Sequence, residues 1–221
     1  MEKKKGNIII IEGPQGVGKS TMANFLRDNL ASSNLYRLTG ISDKSQTGYE
    51  KNKNMYLGLI NYMESLEDTE LNLIFDRTFF TEQVYAELGY KDYKFDDAYN
   101  RLLKKLSDLE FNIYVVILYL NDSSLFVKRL RRQHHQYQAF SVQNSINQQN
   151  IYLKLLSEIK YKNIHKMKIA TDDFGKAYNK IINSIPVLKE SGIKYIKWLT
   201  KNAFSIFFFE AMQSLSLIWY N

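Results

Sequence analysis

Nine consecutive residues carry the chemistry most plainly: Gly13, Pro14, Gln15, Gly16, Val17, Gly18, Lys19, Ser20 and Thr21. They fit G-x-x-x-x-G-K-[ST] without a mismatch. Such a turn wraps a polyphosphate with its backbone N–H groups pointing inward, and side chains would obstruct that approach. Lys19 is spaced to reach the β and γ oxygens, and Ser20 offers a hydroxyl to Mg²⁺. Gly13, Gln15, Gly16, Val17, Gly18, Lys19, Ser20 and Thr21 are therefore the candidate nucleotide-binding set.

Phosphoryl transfer needs a further acid near Mg²⁺ and further cations near the moving group. The apolar run LNLIF ends in Asp76-Arg77. Asp76 is a candidate metal ligand alongside Ser20, or it orients the acceptor. Arg77 is a candidate bidentate clamp on an acceptor phosphate or on the transferred group. Glu82, Gln83 and Tyr85 follow on a predicted helix, either lining an acceptor pocket or forming an ordinary amphipathic surface.

A third group of cations, Lys128, Arg129, Arg131 and Arg132, lies within Leu125–Gln133. Arg129 and Arg132 are three apart and share a helical face. Closing that face over ATP would bring charge to the γ-phosphate and exclude water. The plainer alternative is a solvated basic face or a nucleic-acid contact. His134 and His135 are adjacent, so they point apart on a helix, and no zinc site is expected.

These residues need a scaffold that brings them to one edge. Ile8–Ile11 reads as a strand buried on both faces, delivering the chain to the glycine turn. A helix is predicted over Lys19–Leu30, then a weak strand at Asn34–Leu38. Gly40–Lys53 is polar and turn-rich and reads as a loop before a helix over Met55–Leu66. Leu71–Phe75 is a strand, and helices follow at Thr78–Leu88 and Asp96–Leu109. Asn112–Leu120 is a strong strand, Leu125–Gln133 a basic helix, and Ile146–Lys160 another helix. Lys166–Ala170 is a last strand, with a helix over Asp173–Ser184. Alternating strands and helices predict an α/β fold with a five-stranded parallel sheet and helices on both faces.

The 221 residues suit one domain with an appendage, and the pattern divides at 1–185 and 186–221. Net charge is +7, which favours anionic partners without choosing among them. With no cysteine, disulfides, zinc-thiolate sites and cysteine nucleophiles are excluded. The basic N-terminus precedes too short an apolar run for a secretory signal, so an intracellular, cytoplasmic protein is expected. Beyond Pro186 a C-terminal helical extension is predicted. Its apolar part, Ala203–Tyr220, is interrupted by Glu210, Gln213 and serines. It reads as a helix packed on the domain or on a second copy in a homodimer, with an interfacial membrane anchor as the alternative.

IEGPQGVGKST, then DRTFFTEQVY, then LFVKRLRR after IYVVILYLN together resemble the thymidylate kinase and deoxynucleoside kinase group of P-loop kinases. The resemblance covers roughly residues 7–184 in order. It implies ATP as donor, Mg²⁺ as cofactor, and a deoxynucleotide or deoxynucleoside acceptor. It also implies that Arg77 meets the acceptor side and that a lid arginine, Arg129 or Arg132, meets the donor phosphates. Two features depart from the pattern: Gln15 stands where thymidylate kinases usually carry an acid, and only Asp43 lies near the position of the deoxynucleoside kinases' glutamate. The expected reaction is transfer of the ATP γ-phosphoryl to a deoxynucleoside monophosphate, thymidylate favoured. The alternatives are a deoxynucleoside kinase and a P-loop ATPase serving a nucleic-acid or membrane partner. No N-K-x-D is present, which counts against a GTPase.

Overall fold

A computed structural model describes residues 5–131 and 141–189. The strands are β1 (Asn7–Glu12), β2 (Ser33–Arg37), β3 (Asn72–Asp76), β4 (Asn112–Tyr119) and β5 (Ile164–Ala170). The helices are α1 (Lys19–Asn29), α2 (Gln46–Glu64), α3 (Phe79–Glu87), α4 (Asp96–Asp108), α5 (Ser124–Arg131), α6 (Val142–Glu158) and α7 (Phe174–Ser184). The strands form one all-parallel sheet in the order β2-β3-β1-β4-β5.

The run of isoleucines is explained by that order. β1 lies at the centre and both of its faces are covered. Ile8 and Ile10 join a core with Leu73, Phe75, Ile113 and Val115, roofed by α2, α3, α4 and α6. Ile9 and Ile11 join a second core with Ile74, Val116 and Leu118, roofed by α1, α5 and α7. All four isoleucines are fully buried. Both halves of the alternation must therefore be apolar, and the strand reads as a continuous run.

Strand β1 has β3 on one side and β4 on the other, so the chain winds away in both directions from it. In open α/β sheets the crevice at such a reversal, beyond the carboxyl ends of the strands, is where ligands bind. The glycine turn follows β1 at that point.

Two predicted helix starts need correction: α6 begins at Val142, one turn before Ile146, and α2 differs more. Helix α2 begins at Gln46, within the stretch expected to be loop, rather than near Met55. Its buried stripe is Gly48, Asn52, Tyr56, Ile60 and Met63. The first two members are not apolar, so hydrophobic periodicity starts about two and a half turns too late. A Cβ at Gly48 would lie 2.1 Å from the Asp43 carbonyl oxygen, so glycine is required there for packing. Among the described residues no helix is long and apolar enough to cross a membrane. The predicted extension from residue 190 onward lies outside the described residues, as do Arg132, His134 and His135.

Candidate functional site

The turn between β1 and α1 has left-handed backbone at Gly16 and Gly18 and a φ of 141° at Gly13. A Cβ at Gly13 would sit 2.4 Å from the Leu118 carbonyl oxygen of β4. At Gly18 it would sit 2.2 Å from the Phe174 ring. Val17 is fully buried and anchors the turn in the second core. Gly18 precedes the first residue of α1, so the positive end of that helix faces the turn. Thr21 lies exposed on the first turn of α1.

Lys19 is buried and donates from Nζ to the Pro14 carbonyl oxygen at 2.6 Å. Burial, reinforced by the nearby Arg77 charge, pulls its ammonium down to about 7. An anion arriving in the turn would favour the charged form and take over this donor.

β1 and β3 run in register with Ile11 opposite Asp76, so the end of β3 lies beside the start of the turn. Ser20 Oγ donates to Asp76 Oδ2 at 2.6 Å. Asp76 Oδ1 is buried and has no hydrogen-bond partner. This pair, from α1 and β3, fits a magnesium ion that keeps most of its ligands from phosphates and water. Among the described residues no cluster of three or more His, Cys, Asp or Glu side chains could hold a metal alone. Arg37 at the end of β2 approaches Asp76 Oδ2 at 3.9 Å.

Arg77 has φ 79°, the left-handed region, at a cost of about 1–2 kcal/mol for a residue with a side chain. Its guanidinium reaches Gln15 Oε1 at 3.1 Å and the Tyr85 hydroxyl at 3.3 Å. The expected acceptor clamp and the glycine turn are thus joined through Gln15.

Glu12, the last residue of β1, belongs to the site although sequence chemistry alone does not mark it. It is fully buried. Its Oε1 accepts from the Thr78 backbone N–H at 2.5 Å and the Thr78 hydroxyl at 2.9 Å, and its Oε2 accepts from the Thr81 hydroxyl at 2.8 Å. Burial pushes its carboxyl up to about 7 against the pull of those donors. The sequence signal was an acid closing an otherwise apolar strand.

Arg129 projects from α5 onto the same turn. It donates to the Thr171 carbonyl oxygen at 2.5 Å, to Thr171 Oγ1 at 3.3 Å and to the Gly16 carbonyl oxygen at 3.4 Å. Its guanidinium lies over the Phe174 ring, 5.2 Å from the centroid. Thr171 Oγ1 in turn donates to the Val17 carbonyl oxygen at 2.8 Å. The loop after β5 therefore links the basic helix to the glycine turn.

Glu82, Gln83 and Tyr85 have separate surroundings. Tyr85 meets Arg77. Gln83 is buried and donates to Glu87 Oε1 and Asp96 Oδ1, both at 3.0 Å. Buried Glu82 receives Lys91 Nζ at 3.0 Å, Asn52 Nδ2 at 3.1 Å and the Tyr93 hydroxyl. Lys91 and Asn52 also bind the backbone of Ile41. The loop after β2 is thereby pinned to α2 and α3. Asn52, Lys91 and Tyr93 carry no shared sequence pattern, and only the fold brings them to Glu82.

No protein-family model matches the chain, and no curated protein matches it. Solved structures do. A thymidylate kinase from Candida albicans is similar with TM-score 0.61 and 18% identity, over 85% of this chain and 94% of that one. Polyphosphate kinase 2 from Arthrobacter aurescens TC1 is similar with TM-score 0.55 and 14% identity, over 75% of this chain and 62% of that one. A deoxyadenosine kinase from M. mycoides with bound dCTP gives TM-score 0.48 and 18% identity, over 80% of this chain and all (100%) of that one. The five-stranded all-parallel sheet with helices on both faces thus has the fold of the P-loop kinases.

Proposed function

We propose that the protein is an ATP-dependent kinase that transfers the γ-phosphoryl group to a deoxynucleoside monophosphate, thymidylate favoured. The observation that carries the reading is the register of Ile11 with Asp76. It sets the acid that ends β3, and the arginine that follows it, beside a glycine turn that already has the spacing for a triphosphate.

In this reading the turn's N–H groups and Lys19 grip the donor phosphates, with Lys19 moving from Pro14 to a phosphate oxygen. Ser20 Oγ and Asp76 would hold Mg²⁺, and the ion, when bound, neutralises charge on the β- and γ-phosphates. Arg77 orients the acceptor phosphate. An oxygen of that phosphate attacks the γ-phosphorus in line, the bond to the β–γ bridging oxygen breaks, and ADP leaves. Such an acceptor oxygen is already anionic near neutral pH, so no side chain has to remove a proton from it. Arg129, held on the Gly16 carbonyl and the Phe174 ring, supplies a cation on the donor side. Catalysis then rests on positioning and charge neutralisation.

The test is an acceptor screen. The full chain is incubated with Mg²⁺-ATP and a panel of deoxynucleosides and their monophosphates, and products are read by mass spectrometry. A diphosphate product from a monophosphate supports the proposal, and phosphorylation of nucleosides alone replaces it with a deoxynucleoside kinase. ATP turnover stimulated only by nucleic acid or lipid overturns both.

A further inference from the structure

We infer that Glu12 is a positioning residue for Arg77, holding the strained turn from which that guanidinium is aimed. Arg77 is not glycine, yet its φ is 79°. Such a conformation persists only where its surroundings hold it. Two tethers flank it, and both come from the end of β1. The Arg77 backbone N–H donates to the Ile11 carbonyl oxygen at 3.1 Å. The next N–H, that of Thr78, donates to Glu12 Oε1 at 2.5 Å. The first tether is backbone and independent of residue type. The second exists only because residue 12 carries an acceptor of this length.

The remaining contacts of Glu12 make it a fixed post. The Thr78 hydroxyl binds the same oxygen, and the Thr81 hydroxyl binds the other. Thr81 also shares a 2.8 Å hydrogen bond with the buried Tyr152 hydroxyl of α6. Thr78 is the residue immediately before α3, so the helix's positive end also favours this carboxylate. One side chain thereby ties together β1, the Arg77 turn, the start of α3 and, through Thr81, helix α6. Its effect reaches the chemistry through where Arg77 points.

This inference rests on the proposed role of Arg77, and the test separates the two. Full-length wild type, Glu12→Ala, Glu12→Gln and Thr81→Val are compared in three ways. Acceptor kinetics are measured, binding of a non-hydrolysable ATP analogue is measured by calorimetry, and the Arg77 Nε–H resonance is followed by NMR with ¹⁵N-arginine. Glu12→Ala is expected to lower kcat/KM for the acceptor about 100-fold, while affinity for the ATP analogue changes less than about threefold. The Arg77 resonance shifts toward that of a free guanidinium. Glu12→Gln keeps one acceptor oxygen for Thr78 and restores activity to within about tenfold of wild type. If Glu12→Ala does not fold, Thr81→Val carries the test through the same resonance with about a tenfold loss. An unchanged Arg77 resonance, an equal loss of ATP-analogue and acceptor binding, or a glutamine no better than alanine would overturn the inference. A wild type without acceptor-dependent transfer removes the functional reading instead, and the Arg77 resonance then decides the role of Glu12 alone.

Discussion

Arg77 donates to Gln15 across 62 residues of sequence, at 3.1 Å, and so couples the end of β3 to the glycine turn. The amide oxygen holds the guanidinium without neutralising it. Arg77→Ala should therefore abolish acceptor use, by about 10²–10⁴ in kcat/KM, with affinity for ATP nearly kept. Arg77→Lys should recover little, because a point charge cannot reach both Gln15 and an acceptor in the planar fork geometry. Steady-state kinetics with each substrate varied in turn checks this.

Lys19→Ala should lower kcat by about 10²–10³. It should leave the thermal unfolding temperature unchanged or higher, since the removed ammonium is buried and burial disfavours it. Turnover assays paired with thermal unfolding of the same samples test both halves.

Gly18→Ala should fail for two separable reasons. The backbone there has φ 85°, and the new methyl would meet Phe174 at 2.2 Å. Combining it with Phe174→Ala should relieve the collision but not the backbone strain. Measured against Phe174→Ala alone, the added Gly18→Ala should therefore cost only about 1–2 kcal/mol, less than in the wild-type background. A double-mutant cycle by chemical denaturation measures the two terms.

The fold shows how far the residues alone could be read. Strands announced themselves because Ile8–Ile11 and Asn112–Tyr119 are apolar on both faces, and the sheet's edges followed within a residue or two. The glycine turn was legible because backbone cradles need a fixed spacing of glycines and lysine. The start of α2 was hidden because Gly48 and Asn52 face inward for close packing and hydrogen bonding, not for hydrophobic burial. The Glu12 and Glu82 networks were hidden for another reason. Their partners, Thr78, Thr81 and Tyr152 in one case and Asn52, Lys91 and Tyr93 in the other, are assembled by the sheet order and have no periodicity of their own.

Glu12 also predicts a pH effect. Its carboxyl is raised by burial from 4.5 to about 7 in the fold. As pH rises through that interval the unfolded chain loses this proton first, so the folded state holds the extra proton and stability falls. Glutamine does not titrate. Glu12→Gln should therefore gain on wild type between pH 5 and pH 8, by on the order of 1–3 kcal/mol. Urea unfolding of both proteins at the two pH values measures the difference.

Arg129→Ala should weaken ATP binding and leave acceptor KM nearly unchanged, because its partners are Gly16, Thr171 and Phe174 on the donor side. A loss of about 10–100-fold in kcat/KM for ATP is expected. Calorimetry with an ATP analogue and acceptor-varied kinetics distinguish this from an effect on the Arg77 side.

The most direct measurement follows the γ-phosphoryl itself. The full chain is given ATP labelled with ¹⁸O on the γ-phosphate, Mg²⁺ and thymidine monophosphate, and the label is traced by mass spectrometry. Labelled thymidine diphosphate is expected, with almost none of the label in free phosphate, and Lys19→Ala should form it about 10²–10³-fold more slowly. Label released only as inorganic phosphate, or the same product formed by the Lys19 variant at the wild-type rate, would contradict this.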